Sequence, residues 1–192
     1  MGGQGSRMNH ESPKQFLPLG KIQVYEHTLK TFEKSKLFSD IILITPEIGG
    51  KTRQESSYKG LLACGVDTDF VVIHDAVRPF VSIDILKRNA DAVRIHKAVN
   101  TCMPTYDTIN YVENDTVIAI PKRSAYMRGQ TPQSFSYPLI LQAHKNTKQT
   151  NAPDDCSLVL ELGHPIHVVL GSDENFKITT MHDYKLALSL LK

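Results

Sequence analysis

Phe70-Val71-Val72-Ile73-His74-Asp75-Ala76-Val77-Arg78-Pro79 is the stretch that decides the fold. Its first four residues are apolar without a polar alternate, the pattern of a strand buried on both faces. His74 and Asp75 then fall at the carboxyl end of that strand, the edge at which open α/β sheets bind their ligands. Similar short runs recur at Asp40-Ile41-Ile42-Leu43-Ile44, within Val93 to Met103, and at Ile166-His167-Val168-Val169-Leu170. Amphipathic stretches lie between them: Val24 to Phe32, Glu55 to Ala63, Ile83 to His96, Pro138 to Lys145, Cys156 to Leu162 and Asp183 to Leu191. The alternation predicts an α/β fold, a mostly parallel sheet flanked by helices. Asp107 to Val112 and Thr116 to Ile120 flank Glu113-Asn114-Asp115 and predict a projecting β-hairpin arm over about 107–123. Lys145 to Asp154 is polar and reads as a mobile surface loop.

The composition bounds what such a fold can do. A chain of 192 residues with 41 % hydrophobic side chains is long enough for one well-packed domain, 1–192. The net charge of +2 comes from 22 basic and 20 acidic residues spread along the chain, so neither nucleic acid nor a membrane surface is implied. Cys64, Cys102 and Cys156 form no CxxC pair, which argues against a disulfide framework or a zinc site and fits a reducing cytosol. No apolar run is long enough to span a bilayer and no secretory signal is visible, so a cytoplasmic protein is expected.

Chemistry concentrates in five segments. Gly2-Gly3-Gln4-Gly5-Ser6-Arg7-Met8 places glycine-rich backbone before Arg7, with Pro13-Lys14-Gln15 shortly after. Glycines let main-chain N–H groups approach phosphate oxygens, and the two cations neutralise charge that develops in phosphoryl or nucleotidyl transfer. By itself such a loop can equally be a flexible terminus. The other four are Gly49-Gly50-Lys51-Thr52-Arg53-Gln54-Glu55-Ser56, the His74 to Pro79 segment, Arg128-Gly129-Gln130-Thr131-Pro132-Gln133, and Asn175-Phe176-Lys177-Ile178-Thr179-Thr180. Asp75 can hold a magnesium ion or a ribose hydroxyl, since magnesium takes one or two carboxylates plus substrate phosphates. The competing reading pairs Asp75 with Arg78 across the turn.

In this order the segments resemble the 2-C-methyl-D-erythritol 4-phosphate cytidylyltransferase family, from the first residue nearly to the last. Pro13-Lys14-Gln15-Phe16-Leu17-Pro18-Leu19-Gly20 completes the match to the nucleotide loop, and Asp107-Thr108-Ile109, Gln130 to Phe135 and Asp154-Asp155-Cys156-Ser157 follow in register. The resemblance implies a Rossmann-like fold and transfer of a cytidylyl group from CTP to methylerythritol phosphate with a divalent cation, Mg2+. It implies that Arg7, Lys14 and Lys177 carry the phosphate chemistry, and that Gly2, Gly3 and Gly5 cradle the triphosphate. It further implies that Gly49, Gly50, Arg53 and Ser56 read cytosine, that Asp75 meets the ribose or the metal, and that Arg78 and Thr179 belong to the acceptor pocket. Thr108 and Arg123 match positions that reach from the hairpin into a partner subunit's site, which implies a homodimer. Absent the resemblance, these cations are solvated surface charge and Thr108 an ordinary strand threonine.

Three features depart from the family pattern. The glycine loop has no strand before it, so the first strand is expected to be missing from this chain and Met1 to be an interior position. Between Glu47 and Gly49 stands Ile48 alone, where the family has a helix and a strand; a right-handed crossover needs about a dozen residues and cannot fit. Pro153 takes the place of a common threonine. The reaction itself asks for positioned cations more than for proton transfer, which accounts for the lack of an evident nucleophilic triad. His27, His96, His144 and His164 read as structural or exposed, and Cys156 as a small buried residue opening a helix. Two alternatives stand: a cytidylyltransferase acting on ribitol 5-phosphate to form CDP-ribitol, and an inactive CTP-binding module.

Overall fold

The computed structural model describes residues 13–191. A single 3-10 turn at Lys14–Phe16 leads into a small hairpin, β1 (Pro18–Leu19) and β2 (Ile22–Gln23), and then α1 (Val24–Ser35), α2 (Arg53–Leu62), β3 (Phe70–Ile73), α3 (Ile83–His96) and β4 (Ala98–Pro104). The arm is β5 (Tyr111–Glu113) and β6 (Thr116–Ala119); β7 (Met127–Ser136), α4 (Tyr137–Asn146), α5 (Asp155–Glu161), β8 (His167–Leu170) and α6 (Met181–Ser189) complete the chain. The main sheet has the order β3-β7-β4-β8. β4 and β8 are parallel, and β7 runs antiparallel to both of its neighbours, so β3, β4 and β8 share one direction.

Strand β3 packs on both faces, as its unbroken apolar run suggests, although its four residues are each only partly buried. Val71 and Ile73 pack with Leu61, Phe135, Ile140, Leu158 and Val159, the core beneath α2, α4 and α5. Val72 turns the other way, onto Phe32 of α1 and Ile85 and Leu86 of α3. A third cluster of Leu17, Leu19, Val24, Val77, Ile178 and Ala187 seats α6 and the first hairpin against the turn after β3. Helix ends follow their sequence signals. Ser82 accepts from the Ile85 N–H at the start of α3, Thr180 and Asp183 cap α6 reciprocally, and α1 and α3 end at Lys36 and Lys97 in left-handed conformation. Among the described residues no helix is long and apolar enough to cross a membrane.

The sheet differs from expectation in two places. Asp40 to Ile44 is not a strand; it runs as irregular chain beside β3, because no neighbouring ladder engages it, and the Gly49 N–H closes onto the Thr45 carbonyl to lead directly into α2. The longest strand is instead β7 (Met127–Ser136), which is not among the expected strands and carries the Gln130-Thr131-Pro132-Gln133 segment. Its register against β4 jumps from Asn100 opposite Gln133 to Thr101 opposite Gln130, so that Thr131 and Pro132 bulge out of the ladder. The bulge is how a proline, which has no N–H to donate, sits in a central strand. The hairpin arm is present, but shorter than predicted: Asn114 and Asp115 both have positive φ, the two-residue turn of a tight hairpin, and Thr108 lies in the irregular chain before β5. Lys145 to Asp154 is tied down, since Gln54 donates to the Gln149 carbonyl and accepts from the Ala152 N–H.

A buried polar network holds the bulge to α3. Asn89 donates to the Ile85 carbonyl and to Thr101 Oγ1, Thr101 donates to the Pro132 carbonyl, and Ser134 donates to Asn89 Oδ1. Asn89 and Ser134 are fully buried, so each lost bond leaves a polar atom without water. We expect Asn89→Leu to lower stability by about 1–3 kcal/mol, read as a drop in the urea midpoint with an unchanged slope. An unchanged midpoint would show that the network carries no net stability.

Candidate active site

The turn after β3 gathers the charges. Asp75 Oδ2 lies 3.1 Å from Lys177 Nζ and 3.3 Å from Arg78 Nε. The Arg78 guanidinium also donates to the Asn175 carbonyl at 2.7 Å, and Asn175, fully buried, donates to the Thr131 carbonyl and to Gln130. The β7 bulge reaches the same turn from below: Thr131 Oγ1 accepts from the Asp75 N–H at 3.0 Å and stands 3.1 Å from His74 Nδ1. His74 Nε2 faces the Arg78 carbonyl, which can only accept. We therefore assign the ring proton to Nε2 and let the Thr131 hydroxyl donate to Nδ1. Burial pushes His74 down to about 4, so the ring is neutral at pH 7. Burial alone would raise the Asp75 carboxyl, but Lys177, Arg78 and Arg53 outweigh it and hold it well below the usual carboxylate range.

His74, Asp75 and Lys177 open onto a cavity of about 1360 Å3. Its polar lining includes Lys14, Gly50, Arg53, Ser56, Asp75 and Lys177, and its apolar lining includes the strand β3 and Ile41 to Ile44. Its cations Lys14, Arg53 and Lys177 outnumber Asp75 and the Asp155 carboxylate behind Arg53, which is the electrostatics of a polyanion site. A single carboxylate there also fits a divalent cation that brings phosphate oxygens as its other ligands, and among the described residues no cluster of three acidic, histidine or cysteine side chains offers a cage.

The loop before α2 is folded closely on itself. Thr52 caps the helix by accepting from the Glu55 N–H, Ser56 Oγ accepts from the Gly50 N–H at 3.0 Å, and Lys59 Nζ holds the Gly49 carbonyl at 2.8 Å. A Cβ on Gly50 would stand 2.1 Å from the Glu55 Cβ, so no other residue fits there. Arg53, in the first turn of α2, pairs with Asp155 at 2.8 Å.

Lys14, Gly50, Arg53, Ser56, Asp75 and Lys177 are thus brought together from across the chain. Arg78 stands behind them as a buried support, with 10 % of its side chain exposed. Thr108, Arg123 and Thr179 do not line the cavity. Arg123, in the 3-10 turn after β6, donates to the Tyr106 carbonyl at the base of the arm, and the Thr179 hydroxyl donates to Asp183, the α6 cap. Gly2, Gly3, Gly5 and Arg7 lie outside the described residues. Sequence reading does not assign Thr131, Gln130 and Asn175 as site supports, although it singles out both the Gln130 to Gln133 and the Asn175 to Thr180 segments. His144, read as structural or exposed, is structural: it bonds Asp155 at 3.0 Å, a partner the sequence does not point to.

The profile of the 2-C-methyl-D-erythritol 4-phosphate cytidylyltransferase family matches residues 44–192. The chain is 36 % identical to the enzyme of that name from Geotalea uraniireducens, over 99 % of this chain and 93 % of the relative. It is 37 % identical to that from Desulforamulus reducens, over 99 % and 92 %. The first of these alignments spans 217 positions, more than the 192 residues of the chain, so the relative carries residues without a counterpart here. Among solved structures, 4-diphosphocytidyl-2C-methyl-D-erythritol synthase from Anaerococcus prevotii superposes with a TM-score of 0.85 at 29 % identity, covering 92 % of each chain.

The half-buried, neutral imidazole gives stability a definite pH dependence. An unfolded histidine titrates near 6.5 and the native one near about 4, so between these values the unfolded chain binds more protons. His74 therefore contributes fully above about pH 6.5 and loses about 3 kcal/mol as the pH falls toward 4. Urea unfolding at pH 7.5 and 4.5 is expected to show the wild type losing about 2–3 kcal/mol more than His74→Asn. Equal losses in the two proteins would rule out the half-buried neutral ring.

Proposed function

This chain belongs to the 2-C-methyl-D-erythritol 4-phosphate cytidylyltransferase family and transfers a cytidylyl group from CTP to 2-C-methyl-D-erythritol 4-phosphate, and we propose that it does so at the polar lining of the β3 cavity. The reading rests above all on Lys14, Arg53 and Lys177 lining one cavity around Asp75. An oxygen of the acceptor phosphate attacks the α-phosphorus of CTP, the bond to the bridging oxygen breaks, and pyrophosphate leaves with the electron pair. No proton need be removed from a phosphate dianion, so the site requires no general base. His74, neutral and with both ring nitrogens engaged by Thr131 and the Arg78 carbonyl, is suited to holding the Asp75 turn and not to proton transfer.

Charge and position supply the catalysis. Lys14 and Arg7 grip the triphosphate on the glycine backbone of Gly2, Gly3 and Gly5. Lys177, resting on Asp75 in the free protein, is within reach of the phosphates that meet at the α-phosphorus. Gly49, Gly50, Arg53 and Ser56 read the cytosine, whose edge replaces some of the bonds that the loop makes to itself. Asp75 would hold Mg2+, which supplies further neutralisation of the phosphate oxygens when bound. Arg78 sets the acceptor side, and Thr179 fixes the turn that follows Lys177.

The acceptor pocket is completed by Thr108 and Arg123 across a homodimer. Tyr111, Val112, Val117, Ile118 and Ile120 are all about half-exposed on the arm, and a two-stranded hairpin is marginal in water without a surface to cover it. The enzyme then works as a single-domain protomer in a cytoplasmic dimer. Ribitol 5-phosphate is the less favoured acceptor, and a CTP-binding module without turnover would have little use for cations placed at the reacting phosphates.

Pyrophosphate release with CTP and each acceptor tests the reading; methylerythritol phosphate is expected to be turned over far faster than ribitol 5-phosphate, and no release with either would overturn it. Lys14→Ala should lower kcat by about a hundredfold or more, as loss of one preorganised charge does; unchanged kcat would remove Lys14 from the reaction. The dimer has its own test. If Arg123 serves the partner's site, Lys14→Ala and Arg123→Ala chains, each inactive alone, should recover about a quarter of wild-type activity when co-assembled in equal amounts. Absence of recovery despite mixed dimers would place Arg123 in its own subunit's site.

A further inference from the structure

Asp155 is fully buried at the start of α5, yet it is charged. Its two oxygens face different partners: Oδ2 meets Arg53 Nη2 at 2.8 Å and Oδ1 meets His144 Nε2 at 3.0 Å. His144 is held in turn, its ring stacked on Tyr58 at 5.6 Å and 12°, and its side chain 1 % exposed. Gln133, next to the β7 bulge, accepts from the Asp155 N–H and donates to Asp154. Arg53 is partly open to solvent, with 31 % of its side chain exposed on the cavity wall. It lies between two carboxylates, and its charge favours ionisation of Asp75 as well as of Asp155.

We propose that Asp155, itself fixed by His144, is a positioning residue that keeps the Arg53 guanidinium on the cavity wall, turned toward incoming nucleotide and away from Asp75. The proposal rests on the reading of the cavity as the CTP site. After Asp155 the carboxylate that acts most strongly on Arg53 is Asp75, whose Oδ2 already serves Lys177 and Arg78. A guanidinium drawn there competes with Lys177 and leaves the nucleotide side of the cavity. A planar cation that forms two directed bonds gains from being fixed before ligand arrives, because less ordering remains to be done on binding.

The test is a double-mutant cycle on CTP affinity, measured by calorimetry without acceptor, with folding checked by thermal unfolding. Asp155→Asn is expected to weaken CTP binding about tenfold or more, with kcat at saturating CTP changed far less. Once Arg53 is alanine, Asp155→Asn should weaken CTP binding no further, since the tether then has nothing to hold. His144→Leu gives a second route if Asp155→Asn does not fold: it should weaken CTP binding severalfold, and His144→Gln, which keeps a donor for Asp155, should restore it. Additive losses in the cycle, or wild-type CTP affinity in a folded Asp155→Asn or His144→Leu protein, would reduce the cluster to a clamp between helices and overturn the proposal. A wild-type protein that binds no CTP would instead overturn the reading of the cavity, and this proposal with it.

Discussion

The ionised carboxylate of Asp75 is the constraint on which the site depends. It sits at the end of β3 with 16 % of its side chain exposed, where burial disfavours charge, and it stays charged because Lys177, Arg78 and Arg53 face it. Exposed ion pairs contribute about 0–1 kcal/mol, whereas removing one partner of a buried pair costs about 3–5 kcal/mol. Asp75 lies toward the second case. Its backbone is fixed separately, by the Thr131 hydroxyl, and Arg78 is fixed separately, by the Asn175 carbonyl. The charges therefore stand on a frame that does not depend on their own attraction. That frame is the bulge in β7, and the buried Asn89 network that ties the bulge to α3 belongs to the same support.

What the sequence made legible was local. Phe70 to Ile73 could be read as a doubly buried strand because four apolar residues in a row leave no other economical arrangement in an α/β chain, and the arm could be read from the Asn114-Asp115 turn. Asp40 to Ile44 shares the apolar character but not the outcome. Strand formation depends on a neighbour to pair with, and a pattern of side chains cannot reveal whether that neighbour exists. β7 failed in the opposite sense. Its side chains are polar and it contains Pro132, both reasons to exclude a central strand, and only the bulge, a property of two chains in register, reconciles them.

The site was legible to the extent that it is carried by ordered motifs. Lys14, Arg53, Asp75 and Lys177 are far apart in sequence, and only the resemblance named them together; nothing in composition or spacing would have done so. The supports were beyond reach for a related reason. Arg53, His144 and Asp155 come from the first turn of α2, the last turn of α4 and the start of α5, and each has an ordinary local explanation as a helix residue. Thr179 shows the reverse: its motif placed it near the acceptor, while the geometry gives its hydroxyl to Asp183, a cap that orders the chain just after Lys177.

The chemistry accounts for why so much of this fold is spent on holding cations still. A phosphate attacking a triphosphate brings two polyanions together, and the barrier lies mainly in that encounter and in the charge passed to pyrophosphate. Mobile lysines in water would offer little, because solvent screens them and must reorganise as charge moves. Lysine and arginine fixed against a buried aspartate are already desolvated on one side and oriented before the substrates arrive. Asp75 has two effects that pull against each other. It lowers the net positive charge of the cavity, which weakens attraction for CTP, and it prevents Lys177, Arg78 and Arg53 from repelling one another apart. Asp75, with Asp155 behind Arg53, resolves the conflict in favour of binding: enough negative charge to hold the constellation together, too little to neutralise it.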